Sequence, residues 1–194
     1  NIETCEIEDS INFFPEDMFI CDIELTENYL WSCDCINEMI YKFDLDGNIL
    51  NSFPSPAMGA VGVAWDGDFL WNIDYETSNI YKIDPTNGTV LYQTSSIYTR
   101  PISLDWDGDG FWTVGRDQQK IYKINPYTSE IIIEFEYEGP DRTNVTFDGE
   151  FVWVNEHYTP DTIYMHDIEY DNSSGCMDPY ACNYDPDAIE DDGS

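Results

Sequence analysis

Oxygen ligands at alternate positions are the first chemistry the chain offers. Near its end Asn183, Asp185 and Asp187 stand at i, i+2 and i+4, followed by Glu190, Asp191 and Asp192. Such a loop can converge on one Ca²⁺, which takes about six to eight oxygens. It is not an EF-hand, because Ala188 stands where that motif requires Gly and no Glu closes the loop. The competing reading is an acidic segment held by its cysteines. A second candidate is Asp105-Trp106-Asp107-Gly108-Asp109-Gly110, which has the D-x-D-x-D-G form of a calcium loop. There Arg116 occupies the place of the closing Glu, and Asp107-Gly108 coincides with Asp66-Gly67 and Asp148-Gly149 elsewhere. Asp-Gly between β-prone runs is a hairpin signal, so turn chemistry outweighs metal at this position.

Six cysteines, Cys5, Cys21, Cys33, Cys35, Cys176 and Cys182, suggest disulfides and an oxidising compartment. Cys33 and Cys35 lie two apart, hence on one side of a strand, with Cys21 on the preceding hairpin arm. The expectation is that Cys21 bonds one of that pair and Cys5 the other, while Cys176 and Cys182 pair together or with cysteines further on. A zinc site from the first four lacks CxxC spacing and a nearby His. The two histidines are poor catalysts by context. His157 follows Glu156, which could tune it as a base, and His166 replaces an apolar residue and is expected to face solvent. No nucleophile elbow, H-E-x-x-H motif or phosphate-binding glycine loop is present. Three sequons begin at Asn87, Asn144 and Asn172, which are candidates for N-glycosylation.

The 194 residues carry 40 Asp+Glu against 7 Lys+Arg, a formal net charge of -33. That surface repels nucleic acid and anionic membranes, which removes both as partners. It suits solubility in a salty medium, binding of divalent cations, or both. No apolar run approaches the ~18–20 residues that span a bilayer as a helix. The chain begins at Asn1 with neither Met nor a basic-then-apolar leader, so it reads as a mature or excised extracellular chain. Hydrophobic residues at 42% are enough for a packed core.

The elements that must position these groups come from a repeat. Trp31, Trp71, Trp112 and Trp153 recur every 40 or 41 residues, each followed ten or eleven residues later by Tyr41, Tyr81, Tyr122 and Tyr164. A period near 40 marks a repeat architecture, and residues present in every copy are expected to hold the copies together. In the second copy GVAWD, FLWNID, IYKID and TVLYQT alternate with turn residues, which predicts four short antiparallel strands and no helix. One such sheet cannot bury both faces, whereas sheets stacked about an axis can. The prediction is an all-β protein: a β-propeller of four four-stranded blades at about 20–56, 61–96, 102–138 and 142–170. The fourth copy lacks an outer strand, and residues 2–7 are expected to supply it and close the ring. Trp65, Trp106 and Phe147 form a further apolar layer beside the tryptophan anchors.

The motif A-W-D-G-x-F-L-W followed by N-x-I-Y-K-I-D-P-x-x-G resembles the extracellular NHL, YVTN and streptogramin-lyase-like propeller repeats, over roughly residues 20–170. The resemblance implies the fold. It carries no catalytic residue onto a position of this chain, and the fold hosts lyases, binders and scaffolds alike. After a polar linker at 171–175, residues 176–194 (CMDPYACNYDPDAIEDDGS) resemble the thrombospondin type-3-like segments of secreted marine bacterial proteins. That resemblance implies calcium as cofactor, a Cys after Ser194, and neighbouring domains of a longer chain. Together these point to a non-catalytic extracellular structural or adhesive module, self-assembling into a filament or array through homo-oligomeric contacts. The alternatives are a lyase or hydrolase with its site at the central pore, and a module that binds glycan or peptide there.

Overall fold

A computed structural model describes residues 18–95, 100–137, 142–156, 162–168, 174–175 and 190–191. The first blade is β1 (Ile20–Leu25), β2 (Leu30–Asp34), β3 (Met39–Phe43) and β4 (Ile49–Pro54). The second is β5 (Ala60–Trp65), β6 (Leu70–Asp74), β7 (Asn79–Ile83) and β8 (Val90–Ser95). The third is β9 (Asp105–Trp106), β10 (Phe111–Gly115), β11 (Lys120–Ile124) and β12 (Ile131–Glu136). The fourth shows β13 (Arg142–Phe147), β14 (Phe151–Glu156) and β15 (Ile163–Asp167). Each sheet is an antiparallel meander in chain order, and the four sheets form a four-bladed β-propeller with no helix among the described residues. The closing strand expected at residues 2–7 lies outside the described residues. In the tail, β16 (Ser174–Gly175) pairs in parallel with β17 (Glu190–Asp191).

The blades form where period-2 runs meet turn residues. In the second blade the Asp66 carboxylate accepts from the amides of Asp68 and Phe69, Gly67 takes φ +103°, and the hairpin between β5 and β6 closes. Gly takes such a φ at little cost, which is why Gly recurs there. Asp44, Asp84 and Asn125 cap the β3–β4, β7–β8 and β11–β12 turns in the same manner. Part of the acid content is thus turn chemistry. The inner strands β1, β5 and β13 each carry an irregular step in register, at Ile20/Asp22, Ala60/Gly62 and Arg142/Asn144. Such bulges bend and twist a strand. The inner run expected at ISLDW is interrupted: Asp105 and Trp106 form the strand, Ser103 sits at φ 135°, and pairing with β10 resumes at Ile102 and Pro101. The Ser103 hydroxyl meets the backbone of Val145 in the next blade. Gly62 is required by proximity, since a Cβ there would lie 2.8 Å from the Leu104 nitrogen.

Burial between blades supplies the core. Trp31, Trp71 and Trp112 are at most 1% exposed. Trp31 stacks on Trp65 of the second blade at 6.5 Å, and Trp112 on Phe147 of the fourth at 6.3 Å. Trp71 meets Phe111 of the third blade edge-on, beside Trp106. Three apolar clusters result, one at each seam between consecutive blades from first to fourth.

Candidate functional site

Three of the four tryptophan anchors carry a polar clip. The indole nitrogens of Trp71, Trp112 and Trp153 donate to Asp66, Asp107 and Asp148, at 2.7, 2.6 and 2.6 Å. The Asp of the turn thus holds both its hairpin and the anchor. A Lys one strand over completes the clip: Lys82 lies 3.3 Å from Asp66, and Lys123 lies 2.9 Å from Asp107. Lys123 is 1% exposed and also pairs with Asp109. An ammonium therefore stands among these carboxylates, and the loop is the turn that its Asp107-Gly108 predicted, with a buried ion pair added. The first blade has Thr26 for the Asp, and Lys42 lies 3.6 Å over the Tyr29 ring instead. The fourth blade has Met165 for the Lys.

The fourth seam differs from the other three. Among the described residues no apolar cluster joins the fourth blade to the first. The residue six before each anchor is Leu25, Trp65, Trp106 or Phe147, and Leu25 is the partner that Trp153 would meet. Leu25 is 66% exposed, Ile23 and Ile163 are exposed too, and Trp153 is half-buried. Between them lies a cavity of about 700 Å³ that runs to the central axis, where Asp22, Glu24 and Asp105 contribute to its wall.

These carboxyls are fixed by amides of neighbouring blades. Asp22 accepts from the Val63 amide at 3.1 Å, and Asp105 from the Phe147 amide at 2.7 Å. Burial pushes Asp22 and Glu24 up to about 8 and Asp105 up to about 6, with the charge of Asp105 adding to the shift of the first two. Asp22 and Glu24 therefore hold their protons at neutral pH. Sequence reasoning missed this trio, although a signal was present. At the positions of Asp22 and Glu24 the second blade carries Gly62 and Ala64, and the fourth carries Asn144 and Thr146.

The sites read from sequence fall as follows. Cys21 bonds Cys35, the two Cα atoms being 6.1 Å apart. Cys33, also expected in a disulfide, is a free thiol fully buried between the first two blades, and burial pushes its pKa up. The two cysteines part company because the register step in β1 sets Cys21 aside while β2 ends at Asp34, so Cys35 is already in the turn. Cys5, Cys176 and Cys182 lie outside the described residues, as do His157, Asn172 and the calcium candidates Asn183, Asp185, Asp187 and Asp192. Asp191 lies in β17, paired with Gly175 of the expected linker. His166 is a correction: it is half-buried, its ring centroid 4.8 Å from that of Phe135, and does not simply face solvent. Asn87 is exposed in a turn, and Asn144 lines the cleft. Among the described residues no group of three His, Cys, Asp or Glu side chains is placed to hold a metal ion.

No protein-family model and no curated protein matches the chain in sequence. Solved structures do match in fold. A glutaminyl cyclase from Myxococcus xanthus superposes with a TM-score of 0.65 at 8% identity, over 79% of this chain and 75% of that one. A virginiamycin B lyase from Staphylococcus aureus gives 0.56 at 19% identity, over 82% of this chain and 59% of that one. The computationally designed protein Ika4 gives 0.57 at 11% identity, over 84% of this chain and 99% of that one. The streptogramin-lyase resemblance thus holds at the level of fold. The expectation of a non-catalytic module is corrected here, because two of these propellers are enzymes and the fold does not exclude catalysis. At such identities the likeness shows the fold alone and brings no activity to this chain.

Proposed function

We propose that the chain is an extracellular binding module whose ligand seats in the cleft between the fourth and first blades. One observation carries this reading: Trp153 and Leu25 stand apart across a cavity, whereas Trp31, Trp71 and Trp112 are buried at the other seams. Pockets of about 300–1,000 Å³ with apolar walls and a few fixed polar groups suit small ligands and peptides. An aromatic at the opening favours the glycan- or peptide-binding alternative, since aromatic faces stack on both. The Cys21–Cys35 bond supports an oxidising compartment. The tail would serve as a calcium-stiffened tether. The test is to screen the full chain on peptide and glycan arrays at millimolar Ca²⁺, beside Trp153→Ala. Binding in one class that the variant loses supports the reading. Binding that the variant retains, or none at all, overturns it.

A second reading, self-association into an array, has its own observation. The outer strands carry exposed aliphatic pairs at one repeat position: Ile49 and Leu50, Val90 and Leu91, Ile131 and Ile132. Exposed apolar edge strands template pairing with another chain. Light scattering checks it: a monodisperse monomer at millimolar Ca²⁺ removes it.

A further inference from the structure

We infer that the occupant of the cleft is an apolar peptide segment bearing a Lys or Arg, with the cation directed at the axis and the aliphatic side chains against Trp153 and Leu25. This rests on the cleft being a binding site and adds the chemistry of what enters it.

The argument turns on which residues break the repeat. Side chains that recur in every copy are explained by packing between blades. Asp22 has no acidic counterpart in the other blades, and the acid at the Glu24 position recurs only as Asp105 in the third blade; the second and fourth blades present Gly62, Ala64, Asn144 and Thr146 at those places, and the third Ser103 at that of Asp22. Three carboxyls thus gather at one end of an apolar cleft, and no Lys, Arg or His joins them among the described lining residues. Cations placed elsewhere are engaged elsewhere: Lys82 with Asp66, Lys120 with Glu134, Lys123 with Asp107, and Arg100 with Asp117. Among the described lining residues no cation accompanies the trio, so the charge that balances these carboxyls as they ionise comes with the ligand.

Charge complementarity also chooses among occupants. Residues 1–17 contain Glu3, Glu6, Glu8, Asp9, Glu16 and Asp17 and no Lys or Arg, so the chain's own N-terminal segment would add like charge. A second copy brings a net charge of -33. A basic apolar segment meets both walls and replaces the protons that burial keeps on Asp22 and Glu24. Among the described side chains the titratable groups facing the trio are its own members, Asp107 beside Asp105, and the Cys33 thiol beside Asp22, while the side chain of Arg142 on β13 lies outside them. The packed strand β5 contributes none. Affinity is therefore expected to rise with pH as the carboxyls ionise.

The experiment is calorimetric titration of the full chain at 0.15 M salt with acetylated, amidated pentapeptides LKLKL, LSLSL, LELEL and KKKKK. The expected result is that LKLKL binds at least ~10-fold tighter than the other three, and ~10-fold tighter at pH 8.5 than at pH 6.5. Glu24→Gln and Asp105→Asn each weaken LKLKL severalfold and flatten its pH dependence. Leu25→Trp fills the apolar wall, changes no charge, and abolishes binding. Its residue is exposed, so folding is not at stake, and near-ultraviolet circular dichroism verifies all three variants. If KKKKK matches LKLKL, or Leu25→Trp leaves LKLKL unchanged, the attraction is general surface charge and the inference falls. If LSLSL or LELEL binds best and Leu25→Trp removes that binding, the cleft stands as a site and only its cationic occupant is refuted. If no peptide binds, the inference is refuted, and the array screen then decides the cleft separately.

Discussion

At the seam between the third and fourth blades Trp112 is sealed against Phe147, with Val114, Val145, Val152 and Val154 filling the rest. At the seam between the fourth and first, the equivalent Trp153 looks across a cavity at an exposed Leu25. The two seams share a strand plan and a Trp–Asp clip. They differ in the side chain six residues before the next anchor, aromatic in one and aliphatic in the other. The same repeat position is therefore core or site according to whether the neighbouring blade brings enough volume to cover it.

That contrast can be broken by mutation. Trp112→Ala should cost about 4 kcal/mol in urea unfolding, as for other large buried aromatics. Trp153→Ala should cost well under half as much, about 1 kcal/mol, because half its burial is already absent. Equal costs would mean the fourth seam is sealed in solution.

Next in size is the buried clip. Lys123→Met should lower stability by about 3 kcal/mol, since Asp107 is left as an uncompensated buried charge. The reverse change in the fourth blade, Met165→Lys, restores the missing partner of Asp148 at an exposed position and should change stability by less than ~0.5 kcal/mol. A large gain there would show that this seam closes around the new ion pair.

The acid groups separate the two regions by pH. The turn carboxylates Asp66, Asp84, Asp107 and Asp148 are lowered by their hydrogen bonds, working in Asp66 and Asp107 against the opposing effect of burial. Their stabilisation is present above the ordinary carboxylate range and is lost as pH falls through their folded values. Asp22 and Glu24 behave oppositely. Between about pH 4 and about 8 the folded protein keeps protons that the unfolded chain has released, so stability falls as pH rises across that window. Asp22→Asn should remove part of that decline, on the order of 2 kcal/mol by pH 8 after allowing for partial solvent contact. Unfolding midpoints at pH 5 and pH 8 read it directly, and an unchanged slope would deny the axial site its protonated carboxyls. The smallest effect expected is Leu25→Trp, a gain of ~1 kcal/mol from burying added aromatic area against Trp153.

Most of the blade plan was legible before any coordinates. The Trp–Tyr period, the Asp-Gly turns and the alternation in FLWNID depend on neighbours within ~10 residues, and hairpins are local. Two roles were hidden by the same locality. Asp66 reads as a turn residue, yet its second oxygen holds the Trp71 indole. The role of Lys123 had no local signal, for it is buried between Asp107 and Asp109. Cys33 reads as a disulfide partner and is a core thiol, because one bulge in β1 alters which sulfurs meet.

The sequence by itself determined the sheets, because strand pairing and turn closure follow from side chains a few positions apart. Only the tertiary structure decided which face stays uncovered and that Asp22, Glu24 and Asp105, two of them some 80 residues from the third, share one axis. Ring closure imposes a single set of blade-to-blade distances, and whether each seam is filled then depends on the volume its two faces supply together.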